Sequence, residues 1–294
     1  MDYLNASYRY VDKFLPSIGD LNSDILSTNL LTVEGFDFLD ISWFHFFHVW
    51  LFLFISSFII ISLSHIYYKT YTEDSEGLIK GKRVLIVIAH PDDECMFFGP
   101  TIVNLTKKND VDVHLMCLSE GNYYGDGETR SRELLSSCQE LGIPLSNIRL
   151  FSNGHLPDDP LVDWDAEIVA SLISWHVEAL SMDTLLTFDD HGVSGHRNHI
   201  AISRSVSALI SENRLPPSCK CYALKSENIF FKYIGFLIVF LKRKHSNIYV
   251  SSHTDHLTIK NAMSKHASQY VWFRKLFVTF SSYCYLNTLV CLQT

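Results

Sequence analysis

The chain has 294 residues, of which 47% are hydrophobic and 19% are charged. This composition excludes wholesale disorder and supports a sizeable hydrophobic core. The formal net charge of −8 argues against broad electrostatic capture of nucleic acid, so no nucleic-acid partner is expected.

An apolar segment covers residues 41–68, where 28 consecutive positions contain no Asp, Glu, Lys or Arg. A bilayer-spanning helix needs ~20 predominantly apolar residues, so this segment is long enough to cross a membrane. The alternative is a helix buried in a protein core. Large apolar side chains on every face do not suit a half-exposed core helix. The segment therefore predicts a single transmembrane anchor.

The charges that flank this segment predict its orientation. Residues 1–40 carry seven acidic side chains against Arg9 and Lys13. The basic residues on the other side are Lys69, Lys80, Lys82 and Arg83. Because positive charge favours the cytosolic side, residues 1–40 are expected to form a short lumenal segment. Residues 69–81 then read as a polar linker to a cytosolic domain at 82–294.

Short apolar runs alternate with amphipathic stretches along this domain. The predicted strands are residues 83–89, 111–118, 148–151 and 184–188, and the predicted helices are residues 96–108, 128–141, 164–180 and 200–213. Strands that alternate with helices predict an α/β fold with a doubly wound, mostly parallel, Rossmann-like sheet. Such sheets place their sites at the carboxyl ends of the strands.

One apolar run fits this scheme less clearly. Residues 234–241 are apolar except for Gly235, and a basic cluster follows them at Lys242, Arg243 and Lys244. Eight residues are too few to span a bilayer. The run predicts a buried strand that ends in a basic turn, with contact to a membrane surface as the alternative.

The first strand end carries an unusual cluster of ionisable side chains. His90, Asp92, Asp93 and Glu94 follow residues 83–89 directly, with no Gly-rich turn for a dinucleotide. A helix N-terminus that favours acids would explain the carboxylates but not the histidine. Carboxylates this close repel one another unless a cation offsets their charge.

A second strand end supplies further metal-binding side chains. His196 and His199 follow residues 184–188, and their spacing of three places them on one face of a helical turn. Histidines and a carboxylate from two neighbouring strand ends make a donor set suited to catalytic zinc with one position open for water. Another divalent metal remains the alternative.

These motifs together resemble the PIG-L/LmbE-like zinc de-N-acetylases. The resemblance lies in AHPDDE (89–94), SEGNYYGDGETRSREL (119–134), LPDDP (156–160) and TFDDHGVSGHRNH (187–199). A later stretch, AMSKHASQYVWFRKLFVTFSSY (262–283), is similar to the eukaryotic branch. The resemblance implies an LmbE-like fold, an endoplasmic-reticulum anchor and a cytosolic domain. It also implies hydrolysis of the N-acetyl group of a membrane glycolipid, N-acetylglucosaminyl-phosphatidylinositol, the second step of glycosylphosphatidylinositol-anchor biosynthesis.

The resemblance also assigns roles to the clustered residues. It implies that His90, Asp93 and His199 are the zinc ligands. It implies that Asp92 is the general base, which takes a proton from the attacking water. His196 is expected to stabilise the oxyanion by donating a hydrogen bond.

Supporting roles follow for five further residues. Arg130 is expected to bind the substrate's phosphoinositol, with an ordinary surface charge as the alternative. Glu94 is expected to orient the ligand turn. Asp189 and Asp190 are candidates for holding a ligand imidazole. His266 either lines the pocket or packs in the core.

Two other functions fit the sequence as alternatives. One is a deacetylase that acts on a different N-acetylglucosaminyl glycoside. The other is an inactive, membrane-tethered scaffold that keeps the fold. The membrane anchor argues against the first, because hydrolysis of a soluble substrate gains nothing obvious from tethering the enzyme. The intact cluster of histidines and aspartates argues against the second.

Overall fold

The computed structural model describes residues 43–71, 79–242 and 248–293. The predicted lumenal segment at 1–40 and most of the predicted linker lie outside the described residues. Contacts divide the chain into two units, Met1–Ile61 and Ser62–Thr294.

The N-terminal helix α1 (Trp43–Tyr71) includes residues 43–68 of the predicted transmembrane segment, whose first two residues lie outside the described part of the chain. Within the described residues, one helix is long and apolar enough to cross a membrane, at Phe46–Ser64, and none of that stretch is buried. Its two central hydroxyls are satisfied locally, since Ser56 and Ser57 donate to the Leu53 carbonyl at 3.0 and 2.5 Å. This helix lacks the buried face that a core helix of a globular protein would have.

The second unit contains a seven-stranded sheet and the other helices of the described residues. The strands are β1 (Arg83–Ile88), β2 (Asp112–Cys117), β3 (Ile148–Leu150), β4 (Thr184–Phe188), β5 (Lys220–Leu224), β6 (Ile248–Val250) and β7 (Leu286–Cys291). The helices are α2 (Asp93–Met96), α3 (Gly99–Thr106), α4 (Gly127–Glu140), α5 (Ala166–Ala179), α6 (Gly192–Gly195), α7 (Arg197–Ser211), α8 (Ile229–Lys232), α9 (Leu237–Leu241), α10 (His253–Lys265) and α11 (Trp272–Phe280). Short 3₁₀ turns occupy Leu145–Asn147 and Ser282–Cys284.

The strand order is β3-β2-β1-β4-β5-β7-β6, in which β1 to β5 run parallel and β7 runs antiparallel to both neighbours. Strands β1 and β2 are buried from their second residue onward, and β4 is buried throughout, as continuous apolar runs in parallel sheets require. The predicted doubly wound, mostly parallel α/β fold is confirmed. The order reverses between β1 and β4, so a crevice opens there at the carboxyl ends of the strands.

Some predicted elements differ in detail. The single helix expected at 96–108 is two helices, α2 and α3, separated at Phe97 and Phe98. Pro100 lies in the first turn of α3, where its missing N–H removes no intrahelical bond, and it therefore favours a fresh helix start. Strands β5, β6 and β7 were not predicted, because their short runs carry weak periodicity.

The strand predicted within 234–241 is wrong. Gly235 adopts a left-handed φ of 56° and turns the chain, and the run continues as the short helix α9. Ile238 and Val239 are buried, whereas Leu237 and Leu241 stay exposed. The spacing of four between the exposed leucines fits a helix face and not an alternating strand.

Candidate active site

A cavity of about 300 Å³ with several charged side chains in its walls lies at the carboxyl ends of β1 and β4. The six residues predicted from the sequence to act in catalysis, metal binding or substrate binding contribute to its walls. They are His90, Asp92, Asp93, Arg130, His196 and His199. The fold therefore gathers side chains from three separate motifs at the switch point of the sheet, where ligands of such folds bind.

The turn after β1 is strained. Asp92 has a φ of 109°, a conformation that residues with a Cβ rarely adopt and that is concentrated at functional sites. Its backbone N–H donates to Glu94 Oε2 at 3.0 Å, and the preceding carbonyl of Pro91 accepts from Arg130 Nη2 at 2.7 Å. These two contacts hold the Asp92 carboxylate in the cavity wall. Glu94 thus orients the turn, as expected from the sequence.

Asp93 begins α2 and directs its carboxylate back toward the turn. Its Oδ2 accepts from the backbone N–H groups of Ala89 and His90 at 3.1 and 2.8 Å. The same oxygen lies 3.3 Å from His199 Nε2 and 3.8 Å from His90 Nδ1. Burial opposes ionisation of Asp93, but the two imidazoles and the backbone donors hold its pKa well below the usual range.

His199 presents a free nitrogen to Asp93. Its Nδ1 lies 3.2 Å from the Gly192 carbonyl, which can only accept, so Nδ1 carries the proton in this contact. Its Nε2 is buried without a hydrogen-bond partner and faces Asp93 Oδ2. A lone pair and a carboxylate oxygen at 3.3 Å repel each other unless a proton or a metal ion lies between them.

His90 is oriented from its other side by a carboxylate. Its Nε2 lies 3.1 Å from Asp158 Oδ1 and 3.0 Å from the amide nitrogen of Asn198. Burial alone would lower the pKa of His90, but the hydrogen bond to Asp158 and the charge of Asp93 raise it overall. An imidazole with a carboxylate on one nitrogen and the other nitrogen turned inward is the usual arrangement around protein-bound metals.

His196 completes a group of three imidazoles. Its ring centroid lies 4.7 Å from that of His199 and 4.8 Å from that of His90. Burial, together with these two neighbours, lowers the pKa of His196 to about 4. The side chain is therefore neutral near pH 7 and keeps one N–H to donate.

This donor set fits a divalent cation in two ways. One combination is His90, His196 and His199, each of which offers a nitrogen within 4.8 Å of the others. The other replaces His196 with Asp93, whose oxygen lies against His199 and His90. The first combination offers three nitrogens and the second two nitrogens and one carboxylate oxygen, and zinc accepts both kinds of donor set. The unpartnered nitrogen of His199 belongs to both.

Arg130 is buried and is not a surface charge. Its Nη1 donates to the Gly121 carbonyl at 2.8 Å and to Asp158 Oδ2 at 3.1 Å, and its Nη2 lies 3.5 Å from Asp92 Oδ2. Gly121 has a φ of 70°, and a Cβ there would fall 2.4 Å from the guanidinium. The close approach therefore requires glycine, and Arg130 braces the three loops that meet at the cavity.

Sequence reasoning missed two charged residues of the site, Asp158 and Arg274. Arg274 extends from α11, donates to Asp92 Oδ2, and also donates to Gln269 Oε1 at 3.1 Å. Burial raises the pKa of Asp92, and Arg274 only partly offsets that rise. The motifs at 156–160 and 262–283 marked both segments, but a motif does not show which of its side chains faces the cavity.

A buried ion pair between His266 and Glu94 stabilises the turn after β1. His266 Nε2 lies 2.7 Å from Glu94 Oε1, and both side chains are completely buried. The same oxygen accepts from Ser137 Oγ at 2.5 Å. Burial opposes charge on both groups, yet their attraction holds the pKa of Glu94 below and that of His266 above the usual range. His266 therefore ties the C-terminal motif to the ligand turn and does not line the cavity.

We expect Glu94→Ala to lower the free energy of unfolding by about 3–5 kcal/mol, because it leaves His266 buried without its partner. Thermal or denaturant unfolding in detergent measures the change. Glu128→Ala is the matched control, since Glu128 pairs with Arg132 on the surface and should change stability by no more than about 0.5 kcal/mol. Equal effects from both variants would contradict the supporting role of the buried pair.

The expectation for Asp189 and Asp190 is wrong, because neither carboxylate contacts a ligand imidazole. Asp189 accepts from the backbone N–H and the hydroxyl of Ser226, both at 2.6 Å. Asp190 pairs with His191 at 2.7 Å on the surface. The partner of the His199 ring is instead the Gly192 carbonyl, which the sequence could not indicate because any residue supplies a carbonyl.

Comparison with known proteins identifies a family and several relatives to which this chain is similar. Residues 85–210 match the family model of PIG-L, described as GlcNAc-PI de-N-acetylase. The chain is 43% identical over 211 residues to the N-acetylglucosaminyl-phosphatidylinositol de-N-acetylase of Bos taurus, covering 71% of this chain and 83% of the relative. It is 34% identical over 249 residues to a probable enzyme of the same name in Dictyostelium discoideum, covering 74% and 96%.

A solved structure shares the fold. It is the N,N'-diacetylchitobiose deacetylase of Pyrococcus horikoshii, which aligns with a TM-score of 0.52 at 16% identity and covers 72% of this chain and 84% of its own. At this identity the likeness concerns the fold alone. The sheet and its helices therefore have an LmbE-like deacetylase architecture.

Proposed function

The chain belongs to the PIG-L family of GlcNAc-PI de-N-acetylases, and on that premise we propose that it hydrolyses N-acetylglucosaminyl-phosphatidylinositol to glucosaminyl-phosphatidylinositol and acetate. This reaction is the second step of glycosylphosphatidylinositol-anchor biosynthesis. The observation that carries the proposal is the cavity at the β1–β4 switch point, where the residues of the shared motifs converge.

We propose that His90, Asp93 and His199 hold a divalent cation, with zinc as the metal. Support comes from the buried His199 Nε2, which faces Asp93 without a hydrogen-bond partner, and from the orientation of His90 by Asp158. When bound, such a cation supplies Lewis-acid activation of the acetamide carbonyl and of the attacking water.

Asp92 is proposed as the general base. Its carboxylate lies in the cavity wall beside Asp93, and its raised pKa favours holding a proton taken from water. The contact with Arg274 keeps the carboxylate oriented before that proton arrives. The protonated Asp92 can then deliver the proton to the leaving amine, a role that His196 fills poorly because its pKa of about 4 leaves it neutral.

His196 is proposed to stabilise the tetrahedral oxyanion. A neutral imidazole keeps one N–H, and the stacking against His199 fixes the direction of the ring. A preorganised donor of this kind stabilises charge that develops in the transition state. No proton needs to leave His196 for this role.

Arg130 and Arg274 are proposed as the substrate-binding cations. Both face the cavity, and a guanidinium is suited to a phosphodiester. Arg130 already makes several contacts with the surrounding loops, whereas Arg274 is 21% exposed and contacts Asp92 and Gln269. Arg274 is therefore the closer candidate for the phosphate, and Arg130 shapes the wall beside the sugar.

An assay with two substrates tests this function. Purified full-length protein is incubated with N-acetylglucosaminyl-phosphatidylinositol and, separately, with a soluble N-acetylglucosaminyl glycoside, and released acetate is measured. The proposal predicts acetate from the inositol lipid and little from the soluble glycoside. Preference for the glycoside would favour the other deacetylase activity, and no acetate from either would favour an inactive scaffold.

The same premise supports a location and a topology. We propose an endoplasmic-reticulum membrane protein with one span at 41–68, residues 1–40 in the lumen, a linker at 69–81 and the catalytic domain at 82–294 in the cytosol. Support comes from the apolar helix at Phe46–Ser64 and from the excess of basic residues that follow it.

Protease digestion of intact microsomes checks the orientation. The loop at 122–126 is exposed, with Tyr124 at 84%, so protease added outside should cleave the cytosolic domain there. A tag before residue 1 should survive on a short fragment until detergent opens the vesicles. A protected catalytic domain with a digested tag would reverse the topology.

A further inference from the structure

Helix α11 exposes an apolar face. Trp272, Leu276 and Phe280 recur every four residues, and Phe273 lies beside them on the same side. Between 49% and 72% of each of these side chains is accessible to solvent. The opposite side of α11 carries Val278, which is buried in the core. An amphipathic helix on a protein surface normally turns polar residues toward solvent, whereas α11 turns apolar ones there.

Helices α8 and α9 extend this face. Ile229, Phe230, Tyr233, Leu237 and Leu241 are exposed, with Ile229 at 80%. The two segments are adjacent to α11, because the Tyr233 and Phe277 rings pack 6.4 Å apart and a Cβ at Gly235 would contact the Phe280 backbone. The exposed apolar surface is defined by these five residues and the four of α11. Contiguous apolar surface of this kind marks an interaction site in a folded domain.

The charge of the segment that forms this surface indicates the kind of partner. Residues 221–294 contain nine Lys and Arg but only two acids, Glu227 and Asp255, although the whole chain has a net charge of −8. Lys275 is exposed on α11, and Lys232 Nζ lies 5.7 Å from the centre of the Tyr233 ring of this surface. Apolar side chains with basic ones among them are suited to a bilayer with anionic headgroups.

The surface is connected to the active site through α11 itself. In the sequence Arg274 stands between Phe273 and Leu276 of the exposed apolar face. Its own side chain lies on the inner side of the helix and donates to Asp92. A second cavity, of about 410 Å³, adjoins the first and shares Tyr123 and Asp158 with it. Its lining includes Glu120 and Asp159. These acids disfavour a phosphodiester there, so the lipid end of the substrate belongs on the α11 side.

We propose that the exposed apolar surface of α8, α9 and α11 docks on an anionic lipid leaflet and admits the glycolipid to the cavity past Arg274. The inference rests on the proposed function in taking the substrate to be a lipid. Docking places the phosphodiester at headgroup level beside Arg274, while the acyl chains stay in the leaflet. The sugar alone then reaches into the cavity.

Photolabelling tests the docking directly. The full-length protein is reconstituted in vesicles of phosphatidylcholine and phosphatidylinositol that carry a diazirine on the acyl chain close to the glycerol, and labelled peptides are mapped by mass spectrometry. Lipid adducts are expected on the peptides of α8, α9 and α11. Trp175 is the matched internal control, because it is a tryptophan of α5 with 63% exposure that lies outside the surface.

A kinetic experiment tests the consequence for the substrate. In Trp272→Ser/Leu276→Ser, kcat/KM for the diacyl substrate in vesicles should fall about tenfold or more, because two apolar side chains no longer enter the leaflet. Activity on the deacylated, water-soluble headgroup substrate should stay unchanged. Trp175→Ser should alter neither value.

Several outcomes would overturn the proposal. These are equal labelling of the Trp175 and Trp272 peptides, labelling that is the same without phosphatidylinositol, and protein–protein cross-links through α11 in place of lipid adducts. An equal loss on both substrates in a double variant that unfolds at the same temperature as the wild type would also overturn it, because the two side chains would then act inside the cavity. If the wild type deacetylates neither substrate, the proposed function fails, while the photolabelling still decides the docking.

Discussion

Asp92→Asn is expected to lower kcat by about 10²–10⁴-fold while the bound metal is retained. The amide keeps the size of the side chain and its place in the strained turn, but it cannot accept a proton from water. Steady-state acetate release gives the kinetic effect, and elemental analysis of the purified protein gives the metal content. Asp190→Asn is the matched control, because that carboxylate is exposed and pairs only with His191.

Comparison of Asp92→Asn with Asp93→Asn distinguishes the general base from the metal ligand. Asp93 contacts both His199 and His90, whereas Asp92 contacts Arg130 and Arg274. If Asp92→Asn removes the metal and Asp93→Asn leaves it in place, the base and the ligand have been exchanged. An Asp92→Asn variant with near wild-type kcat would exclude this residue as the base.

His199→Ala is expected to remove the metal and, with it, turnover. The Nε2 atom of His199 is buried, lacks a hydrogen-bond partner and belongs to both possible ligand sets, so its loss removes a ligand whichever set holds the ion. Elemental analysis should give about one divalent ion per wild-type chain and close to none in the variant. Retention of the metal with full occupancy would contradict the proposed site.

The third ligand is decided by comparing Asp93→Asn with His196→Ala. We propose Asp93 as the ligand, so Asp93→Asn should lose the ion. His196→Ala should keep most of it while kcat falls by about 10²–10³-fold, as loss of one oxyanion donor does. The opposite pattern would select the three imidazoles, whose nitrogens lie within 4.8 Å of one another.

Much of this architecture is evident from the sequence, because parallel sheets have simple rules. The continuous apolar runs of β1, β2 and β4 identify buried strands, and the polar residues directly after them meet at one edge of the sheet. The sequence alone therefore places His90 and His199 together. Asp93 and His196 lie at the same edge of the sheet, because each is three residues away from one of these histidines in the chain.

Other features depend on contacts that local pattern does not encode. Arg274 reaches Asp92 from a helix more than half the chain away, and His266 pairs with Glu94 across a similar separation. The strand prediction for residues 234–241 is wrong for a local reason. Their apolar character predicts burial, but Gly235 turns the chain and the helix α9 that follows leaves Leu237 and Leu241 exposed.

The most direct measurement is acetate release from N-acetylglucosaminyl-phosphatidylinositol labelled in its acetyl group, using the purified full-length protein. We expect one acetate for each glucosaminyl-phosphatidylinositol formed, loss of release after chelation, and recovery when zinc is restored. Asp92→Asn treated in the same way should release almost none. Release that persists in Asp92→Asn, or that is indifferent to chelation in the wild type, would contradict the assignment of this cavity as a metal-dependent deacetylase site.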